Sequence, residues 1–219
     1  MLQALFFDLD GTLTDSQLGI VNSIKYSLNK LQLPELDDAT LKLFIGPPLL
    51  ASYQKYCGLS AADAQQALLA YREYYTDKGI LENKVYAGIP SALAQLQQNY
   101  RLYITTSKPE LYAQQISDHF ALSQYFTAIY GASMDETRAG KSEIIAYAQT
   151  ETGLVHGQNL VMVGDRENDI NGAHDHGLQS IAVTYGFGSQ DELSAAVPSA
   201  FATAPTELPS IVKQLERPL

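Results

Sequence analysis

Short runs of residues that are apolar on both faces recur along the chain. Such runs are typical of the central strands of a parallel sheet that is covered by helices on each side. Four runs are well defined, at residues 2–8, 101–106, 159–164 and 180–185, and a weaker one occupies residues 128–131. Helical patterns alternate with them at residues 90–100, 109–120, 141–152 and 167–176. This alternation predicts an α/β fold with a doubly wound parallel sheet.

One long segment breaks the alternation, because residues 17–79 contain no convincing strand pattern. Amphipathic helical patterns occupy residues 18–31, 49–56 and 61–75 instead. We therefore expect a helical domain, residues 16–81, inserted into an α/β core that comprises residues 1–15 and 82–219. Ligands of open α/β sheets bind at the carboxyl ends of the strands, so an insertion after the first strand is placed to act as a lid. The alternative is a helical subdomain that has no contact with the site.

The charge of the chain restricts its partners. With 14 basic and 24 acidic residues, the formal net charge is −10. An acidic surface repels nucleic acids and anionic membranes, whereas a metal ion can still attract a small anionic substrate. The N-terminus lacks the basic region of a signal peptide, no apolar run reaches the length of a membrane span, and the one cysteine, Cys57, cannot form an intrachain disulfide. These features predict a cytoplasmic protein. They leave open whether it is a monomer or a dimer.

The strongest chemical signal follows the first apolar run, where Asp8 and Asp10 precede the turn residues Gly11 and Thr12. Residues i and i+2 of an extended chain point the same way, so both carboxylates are expected at the carboxyl edge of the sheet. Two close carboxylates repel each other unless a cation or a shared proton lies between them, and their hard oxygen atoms favour Mg²⁺. The backbone N–H groups of Gly11 and Thr12 are expected to hold phosphate oxygen atoms. The alternative interpretation is an Asp-Gly turn beside a solvated acid.

A second pair of acids follows the apolar run at residues 159–164. Asp165 comes directly after this run and is expected at the same edge as Asp8, which makes it a candidate metal ligand. Asp169 lies at the start of the next predicted helix, where a carboxylate also interacts favourably with the helix dipole. Helix capping is therefore the alternative role of Asp169.

Two weaker signals indicate a phosphate site. Thr106 and Ser107 end an apolar run just before a predicted helix, and hydroxyl groups together with free backbone N–H groups bind phosphate well. Serine and threonine are also common helix caps, which is the alternative here. Lys141 lies at the start of another predicted helix, where a cation is disfavoured. A phosphate or carboxylate partner would offset this cost, and a solvated surface lysine is the alternative.

Four segments carry these signals, and in chain order they resemble the motifs of the haloacid dehalogenase superfamily of phosphatases. They contain Asp8 and Asp10, Thr106 and Ser107, Lys141, and Asp165 and Asp169. The resemblance covers essentially the whole chain and implies a Rossmann-like core with a helical cap inserted after the first motif. Residues 164–170 and 183–186 further resemble a subgroup of phosphoglycolate-phosphatase-like and 5′-nucleotidase-like enzymes. Ser107 departs from this resemblance, because relatives often have Asn at its position.

The resemblance implies Mg²⁺-dependent hydrolysis of a small phosphorylated metabolite through an aspartyl-phosphate intermediate. Asp8 would be the nucleophile, and Asp10 would protonate the leaving group and then activate water. The side chains of Asp8 and Asp165 and the backbone carbonyl of Asp10 would bind Mg²⁺, while Asp169 would act through water or through a neighbouring ligand. The transferring phosphoryl group would be held and neutralised by Thr106, Ser107 and Lys141.

Several alternatives stay open on the sequence alone. Besides a phosphoglycolate-phosphatase-like enzyme, the chain is compatible with a nucleoside 5′-monophosphate phosphatase or with a phosphosugar mutase, which returns the phosphoryl group to a sugar. A dehalogenase gains nothing from Asp10 and Mg²⁺. A phosphonate-cleaving enzyme requires a Schiff-base lysine in the cap, where no lysine stands in a recognisable motif. A non-catalytic binding protein on this fold is disfavoured because the motif residues are all present. These are Asp8, Asp10, Lys141 and Asp165.

Overall fold

The computed structural model describes residues 2–154 and 160–216, and the chain forms two compact units. The first unit comprises residues 1–14 and 85–219, and the second comprises residues 15–84. The second unit is therefore one continuous insertion into the first.

The first unit contains a six-stranded sheet in which all neighbouring strands are parallel, in the order β5-β4-β1-β6-β7-β8. Two very short strands, β2 and β3, pair with each other at the points where the chain passes from one unit to the other. The strands of the described residues are β1 (Ala4–Phe7), β2 (Thr14–Asp15), β3 (Lys84–Val85), β4 (Arg101–Pro109), β5 (Ala128–Ala132), β6 (Leu160–Gly164), β7 (Gln179–Val183) and β8 (Ala200–Ala202).

Helices connect the parallel strands of the first unit, and helices also make up the second unit. Their ends follow from local sequence: Gly153 adopts the left-handed conformation that ends α7, and the Ser189 hydroxyl accepts a hydrogen bond from the N–H of Glu192 at the start of α9. The helices of the described residues are α1 (Gln17–Lys30), α2 (Asp38–Lys42), α3 (Leu49–Cys57), α4 (Ala61–Tyr74), α5 (Ile89–Leu96), α6 (Glu110–His119), α7 (Lys141–Thr152), α8 (Glu167–Asp175), α9 (Gln190–Ala195) and α10 (Leu208–Leu215).

Strand β1 lies in the middle of the sheet, between β4 and β6, and all of its side chains are fully buried. Ala4 and Phe6 face one side of the sheet and belong to a hydrophobic core that includes residues of α7 and α8. Leu5 and Phe7 point to the opposite side and are buried there as well. Because both faces of the sheet are covered, the predicted doubly wound α/β fold is confirmed.

Strand ends differ from the sequence-based predictions by a few residues. Strand β4 continues beyond the predicted end at Thr106 to Pro109, and its register with β5 shifts between these two residues. This irregularity is a bulge that bends the end of the strand. Strand β7 ends at Val183 rather than at residue 185. The predicted start of β6 at Asn159 lies outside the described residues.

The second unit is built around the contact of α1 with α4 and with a π-helical turn, Tyr75–Gly79. The backbones approach closely because Gly19 has no side chain, and a Cβ atom there would lie 1.9 Å from the carbonyl oxygen of Gly79. Tyr53 is fully buried, and its ring packs edge-to-face on Phe44 at 5.3 Å between centroids. In the described parts of the chain, no helix is long and apolar enough to cross a membrane.

Candidate active site

The carboxyl ends of β1, β4 and β6 lie side by side at one edge of the sheet, because β1 pairs with both of the other strands. Asp8 follows β1 directly, and Asp165 follows β6 directly. Asp169, in the first turn of α8, joins them: one carboxylate oxygen from each of these three side chains lies within 4.8 Å of the others. All three residues are buried.

The ammonium group of Lys141 lies against two of these acids. Its Nζ atom is 2.8 Å from Oδ1 of Asp8 and 2.8 Å from Oδ1 of Asp169, and it donates a hydrogen bond to the carbonyl oxygen of Thr105 at 2.9 Å. Gly172 on α8 makes room for the lysine, because a Cβ atom there would lie 3.0 Å from its Cγ atom. Burial lowers the pKa of Lys141, but the charges of Asp169 and Asp8 outweigh this effect and raise the pKa above its ordinary value. Lys141 is therefore a buried, charged partner of Asp8, not a solvated surface lysine.

Asp165 is held in one orientation by its surroundings. The N–H group of Phe187 donates a hydrogen bond to Oδ2 at 2.8 Å, and the hydroxyl group of Thr12 donates one to Oδ1 at 3.2 Å. Two glycines allow the backbone to approach the carboxylate. A Cβ atom at Gly11 would lie 2.1 Å from Oδ2 of Asp165, and one at Gly186 would lie 2.4 Å from its Cβ atom. The loops after β1 and β7 thus enclose Asp165 from two sides.

Asp169 combines helix capping with a place in the acidic cluster. Its Oδ2 atom accepts a hydrogen bond from the N–H group of Arg166 at 3.1 Å, at the start of α8, whereas Oδ1 faces Lys141. The carboxylate lies over Gly164, where a Cβ atom would come within 2.2 Å of its Cγ atom. Burial raises the pKa of Asp169 to about 6, with the charge of Lys141 acting in the opposite direction. The capping role considered from the sequence and the contact with Lys141 therefore coexist on different oxygen atoms.

The carboxylate of Asp10 forms an ion pair with a second lysine, Lys108. Its Oδ2 atom lies 2.6 Å from Nζ of Lys108, and both side chains are nearly buried. Within the described residues, the other oxygen, Oδ1, has no hydrogen-bond partner. Lys108 was not among the site residues predicted from the sequence. The signal that could have identified it is its position at the end of the same strand as Thr106 and Ser107, directly before a helix.

Thr106 and Ser107 lie beside this pair at the end of β4. Thr106 is buried, and its Oγ1 atom accepts a hydrogen bond from the N–H group of Lys108 at 3.2 Å. Ser107 is partly exposed. Both hydroxyl groups are thus on the edge that carries the acids, and their contact with a phosphoryl group stays a prediction.

The turn after Asp10 uses the backbone groups that were expected to bind phosphate. The N–H group of Gly11 donates to the carbonyl oxygen of Thr14 at 2.7 Å, and that of Thr12 donates to the carbonyl oxygen of Leu9 at 3.3 Å. A phosphate contact by either group would require one of these bonds to open. The defined roles of these residues are the close approach of Gly11 to Asp165 and the hydroxyl bond that Thr12 makes to the same carboxylate.

Two further contacts fix the loops around the cluster. The hydroxyl group of Tyr185 donates a hydrogen bond to the carbonyl oxygen of Thr12 at 3.1 Å, and its ring packs on Tyr86 with 5.1 Å between the centroids. The guanidinium group of Arg166 binds Glu192 at 2.7 Å, between the start of α8 and α9. These contacts connect the turn after β1 with the loop after β7, and α8 with α9.

The charge balance of the site fits a divalent metal ion. Four buried or nearly buried acids face two ammonium groups: Asp8, Asp10, Asp165 and Asp169 against Lys108 and Lys141. Counted as ionised groups, the four acids exceed the two lysines by two negative charges. Burial, followed by the charges of Asp169 and Asp8, raises the pKa of Asp165 well above its ordinary value, as expected of a buried carboxylate beside other acids. Carboxylate oxygens are hard ligands that suit divalent ions such as Mg²⁺, Ca²⁺ and Mn²⁺.

The residues that could hold this ion differ in one respect from the set expected from the sequence. Asp8 and Asp165 are in the cluster as expected, and Asp169, for which an indirect role was expected, contributes a carboxylate oxygen to it. The carboxylate of Asp10 faces Lys108 instead. A metal contact through the backbone carbonyl of Asp10 stays a prediction.

The chain is similar to known proteins along most of its length. A family model described as haloacid dehalogenase-like hydrolase matches residues 5–183. A 5′-nucleotidase from Pseudomonas aeruginosa is 43% identical over 89% of this chain and 88% of that protein. Tyrosine-protein kinase PtkA from Mycobacterium tuberculosis is 38% identical over 86% of this chain, which corresponds to 64% of that protein.

Solved structures agree with this assignment. The crystal structure of a predicted phosphatase from Clostridium acetobutylicum superimposes with a TM-score of 0.93 at 41% sequence identity, and the match covers 98% of this chain and 99% of that chain. The family match includes all of the acids and both lysines of the site. The chain is therefore an enzyme of the haloacid dehalogenase-like hydrolase family, with phosphatases among its relatives.

Proposed function

We propose that the protein hydrolyses small phosphate monoesters in the presence of Mg²⁺, through an aspartyl-phosphate on Asp8. The observation that carries the proposal is the 2.8 Å contact between Nζ of Lys141 and Oδ1 of Asp8, in a buried cluster of acids. Phosphoryl transfer spreads negative charge over the equatorial oxygens of the transferred group, so fixed cations next to the nucleophile stabilise the transition state. A carboxylate nucleophile beside a buried ammonium group suits this reaction.

The proposal assigns one set of residues to the metal ion and another to the oxygens of the phosphoryl group. Mg²⁺ would be held by the carboxylates of Asp8 and Asp165 and by the backbone carbonyl of Asp10, with Asp169 in the same cluster. When bound, it would supply positive charge next to the transferred group. The oxygens of the phosphoryl group are held by Thr106, Ser107 and Lys141.

The reaction proceeds in two steps. In the first, a carboxylate oxygen of Asp8 attacks the phosphorus atom, the bond from phosphorus to the leaving oxygen breaks, and Asp10 gives its proton to that oxygen. In the second, water attacks the phosphorus atom of the aspartyl-phosphate, Asp10 takes a proton from the water, and Asp8 is released together with inorganic phosphate. Covalent catalysis divides one difficult displacement into two easier ones, and a positioned acid/base group contributes on the order of 10²–10⁴ in rate.

Nucleoside 5′-monophosphates are the substrate class that we favour. The supporting observation is the 43% identity, over most of both chains, to a protein named 5′-nucleotidase. Phosphoglycolate is the second candidate, because residues 164–170 and 183–186 resemble a subgroup that includes phosphoglycolate-phosphatase-like as well as 5′-nucleotidase-like enzymes. We also propose that the helical unit, residues 15–84, contributes to substrate choice.

The proposal is tested by assaying purified protein on a panel of phosphate monoesters, with Mg²⁺ or with a chelator. We expect Mg²⁺-dependent release of inorganic phosphate, which is lost in Asp8→Asn and retained in Asp175→Asn, a control at the exposed end of α8. Undiminished phosphate release by Asp8→Asn would contradict the assignment of the nucleophile. Transfer of the phosphoryl group to a second sugar hydroxyl would instead indicate a mutase, and transfer from ATP to tyrosine would indicate the activity named for the mycobacterial relative.

A further inference from the structure

We propose that Lys108 is a positioning residue that holds the Asp10 carboxylate by Oδ2, so that Oδ1 is the oxygen that exchanges the proton with the leaving group. The inference rests on the proposed function, because it concerns the acid/base group of that reaction. It adds a residue that neither the sequence motifs nor the metal cluster assigns.

Lys108 and Asp10 form a close ion pair that is shielded from solvent. Nζ lies 2.6 Å from Oδ2, and the side chains are 5% and 10% exposed, respectively. A charge-assisted hydrogen bond is stronger than a neutral one and fixes the orientation of the carboxylate, especially away from bulk water. In the described residues Oδ1 is buried and has no hydrogen-bond partner, so a substrate oxygen that reaches it would not displace an existing hydrogen bond.

The backbone around Lys108 is shaped for this contact. Thr106 pairs with Gly131 of β5 and Pro109 pairs with the next residue, Ala132, so the two residues between Thr106 and Pro109 bulge out of the ladder. The N–H group of Lys108 donates a hydrogen bond to Oγ1 of Thr106. Gly131 permits the bulge, because a Cβ atom there would lie 2.7 Å from the carbonyl oxygen of Lys108. Bulges next to active sites commonly redirect a side chain, and here the lysine is directed to Asp10.

The two buried lysines of the site contact different acids. Lys141 contacts Asp8 and Asp169, which belong to the metal cluster, whereas the acid that faces Lys108 is Asp10. Loss of a phosphate-binding cation slows the reaction of every phosphate monoester. Loss of a residue that acts through Asp10 slows mainly those monoesters whose leaving oxygen needs a proton. The two roles are therefore distinguishable by the choice of substrate.

The test compares kcat/KM for two substrates, a nucleoside 5′-monophosphate and 4-nitrophenyl phosphate. The nucleoside leaves as an alkoxide that needs a proton, whereas 4-nitrophenol leaves as a stable phenolate. This parameter reports the steps up to the departure of the leaving group. The variants are Lys108→Met, Asp10→Asn and the double variant, with Lys213→Met on the exposed face of α10 as the matched control.

We expect Lys108→Met to lower kcat/KM for the nucleotide on the order of 10²-fold, as loss of an acid/base contribution does. The value for 4-nitrophenyl phosphate should change only a few-fold, and Lys213→Met should change neither. In the Asp10→Asn background, Lys108→Met should have almost no further effect, since its partner is already altered.

Three results would overturn the inference. An equal loss of kcat/KM for both substrates would make Lys108 a phosphate ligand. An unchanged kcat/KM for the nucleotide would give Lys108 no role. A full additional loss of kcat/KM in the Asp10→Asn background would show that Lys108 acts independently of Asp10. Wild-type protein that hydrolyses neither substrate would overturn the proposed function as well, whereas the three results above leave that function intact.

If Lys108→Met does not fold, Lys108→Gln and Lys108→Arg provide the same comparison. The arginine variant should recover part of the substrate preference because it retains a cationic donor.

Discussion

The Nζ atom of Lys141 lies 2.8 Å from Oδ1 of Asp8, and both side chains are almost completely removed from solvent. The sequence places these residues more than a hundred positions apart, and the fold joins them because α7 begins beside the carboxyl end of the central strand. In the proposed reaction the same ammonium group accompanies the nucleophile before attack and the phosphoryl oxygens during it. The proposal therefore gives this contact a role in both stability and catalysis.

We predict that Lys141→Met lowers kcat on the order of 10²–10³-fold for every phosphate monoester, because one fixed cation of the transition state is lost. In metal-free protein the free energy of unfolding should fall by about 3–5 kcal/mol, since Asp8 and Asp169 lose their buried partner. Steady-state kinetics and denaturant unfolding measure the two effects, with Lys213→Met as the surface control. A Lys141→Met variant that retains the wild-type kcat would refute this role.

The charge imbalance of the acidic cluster leads to a prediction for Mg²⁺. Binding to the folded state alone should raise the free energy of unfolding by about 2.7 kcal/mol when the ion is present at one hundred times its Kd. Asp165→Asn removes one of the clustered carboxylates, so it should abolish most of this stabilisation and should also make the metal-free protein more stable than metal-free wild type. Thermal unfolding with and without Mg²⁺ checks both effects, and Asp175→Asn should behave like wild type. Equal stabilisation of Asp165→Asn and wild type would mean that the ion binds elsewhere.

Gly186 is a position at which an added methyl group would disturb the enclosure of Asp165. A Cβ atom there would lie 2.4 Å from the Cβ atom of Asp165 and 2.4 Å from the carbonyl oxygen of Gly11. We predict that Gly186→Ala costs about 1–3 kcal/mol of stability through overpacking and weakens Mg²⁺ binding roughly 10–100-fold by displacing a ligand. Isothermal titration with Mg²⁺ measures the second effect.

The control for Gly186→Ala is Gly153→Ala, at the left-handed end of α7, where no heavy atom lies within 4 Å of the added Cβ atom. This substitution should cost about 1–2 kcal/mol because of its positive φ, and should leave Mg²⁺ affinity unchanged. Unaltered Mg²⁺ affinity in Gly186→Ala would show that the packing of this loop does not position Asp165.

The parts of the site that follow from strand ends could be predicted from the sequence. Asp8 and Asp165 each come directly after an apolar run, and parallel strands bring such positions to one edge of the sheet. The resemblance to a known family added Lys141, whose local position at a helix start gave only a weak indication. The α/β fold was predictable for the same reason, because runs that are apolar on both faces require helices on both sides.

Other features depend on contacts that no local pattern specifies. Lys108 reaches Asp10 through a bulge that requires Gly131 on the neighbouring strand. Its position at the end of β4 makes it a candidate site residue, but the sequence of β4 does not reveal that Asp10 is its partner. The double role of Asp169 was hidden because its position is also typical of a helix cap. Strand β8 (Ala200–Ala202) is too short, and too poor in β-branched residues, to give a strand pattern.

The most direct test of the central proposal is to trap the phosphoryl group on the enzyme. Asp10→Asn should still react with 4-nitrophenyl phosphate, whose leaving group needs no proton, but it should be slow to activate water, so the phosphorylated enzyme should accumulate. After acid quenching and digestion, we predict by mass spectrometry one added phosphoryl group on Asp8, in an amount equal to the burst of 4-nitrophenol. Release of 4-nitrophenol with the phosphoryl group on another residue, or with none on the protein, would contradict the proposal that the reaction proceeds through Asp8.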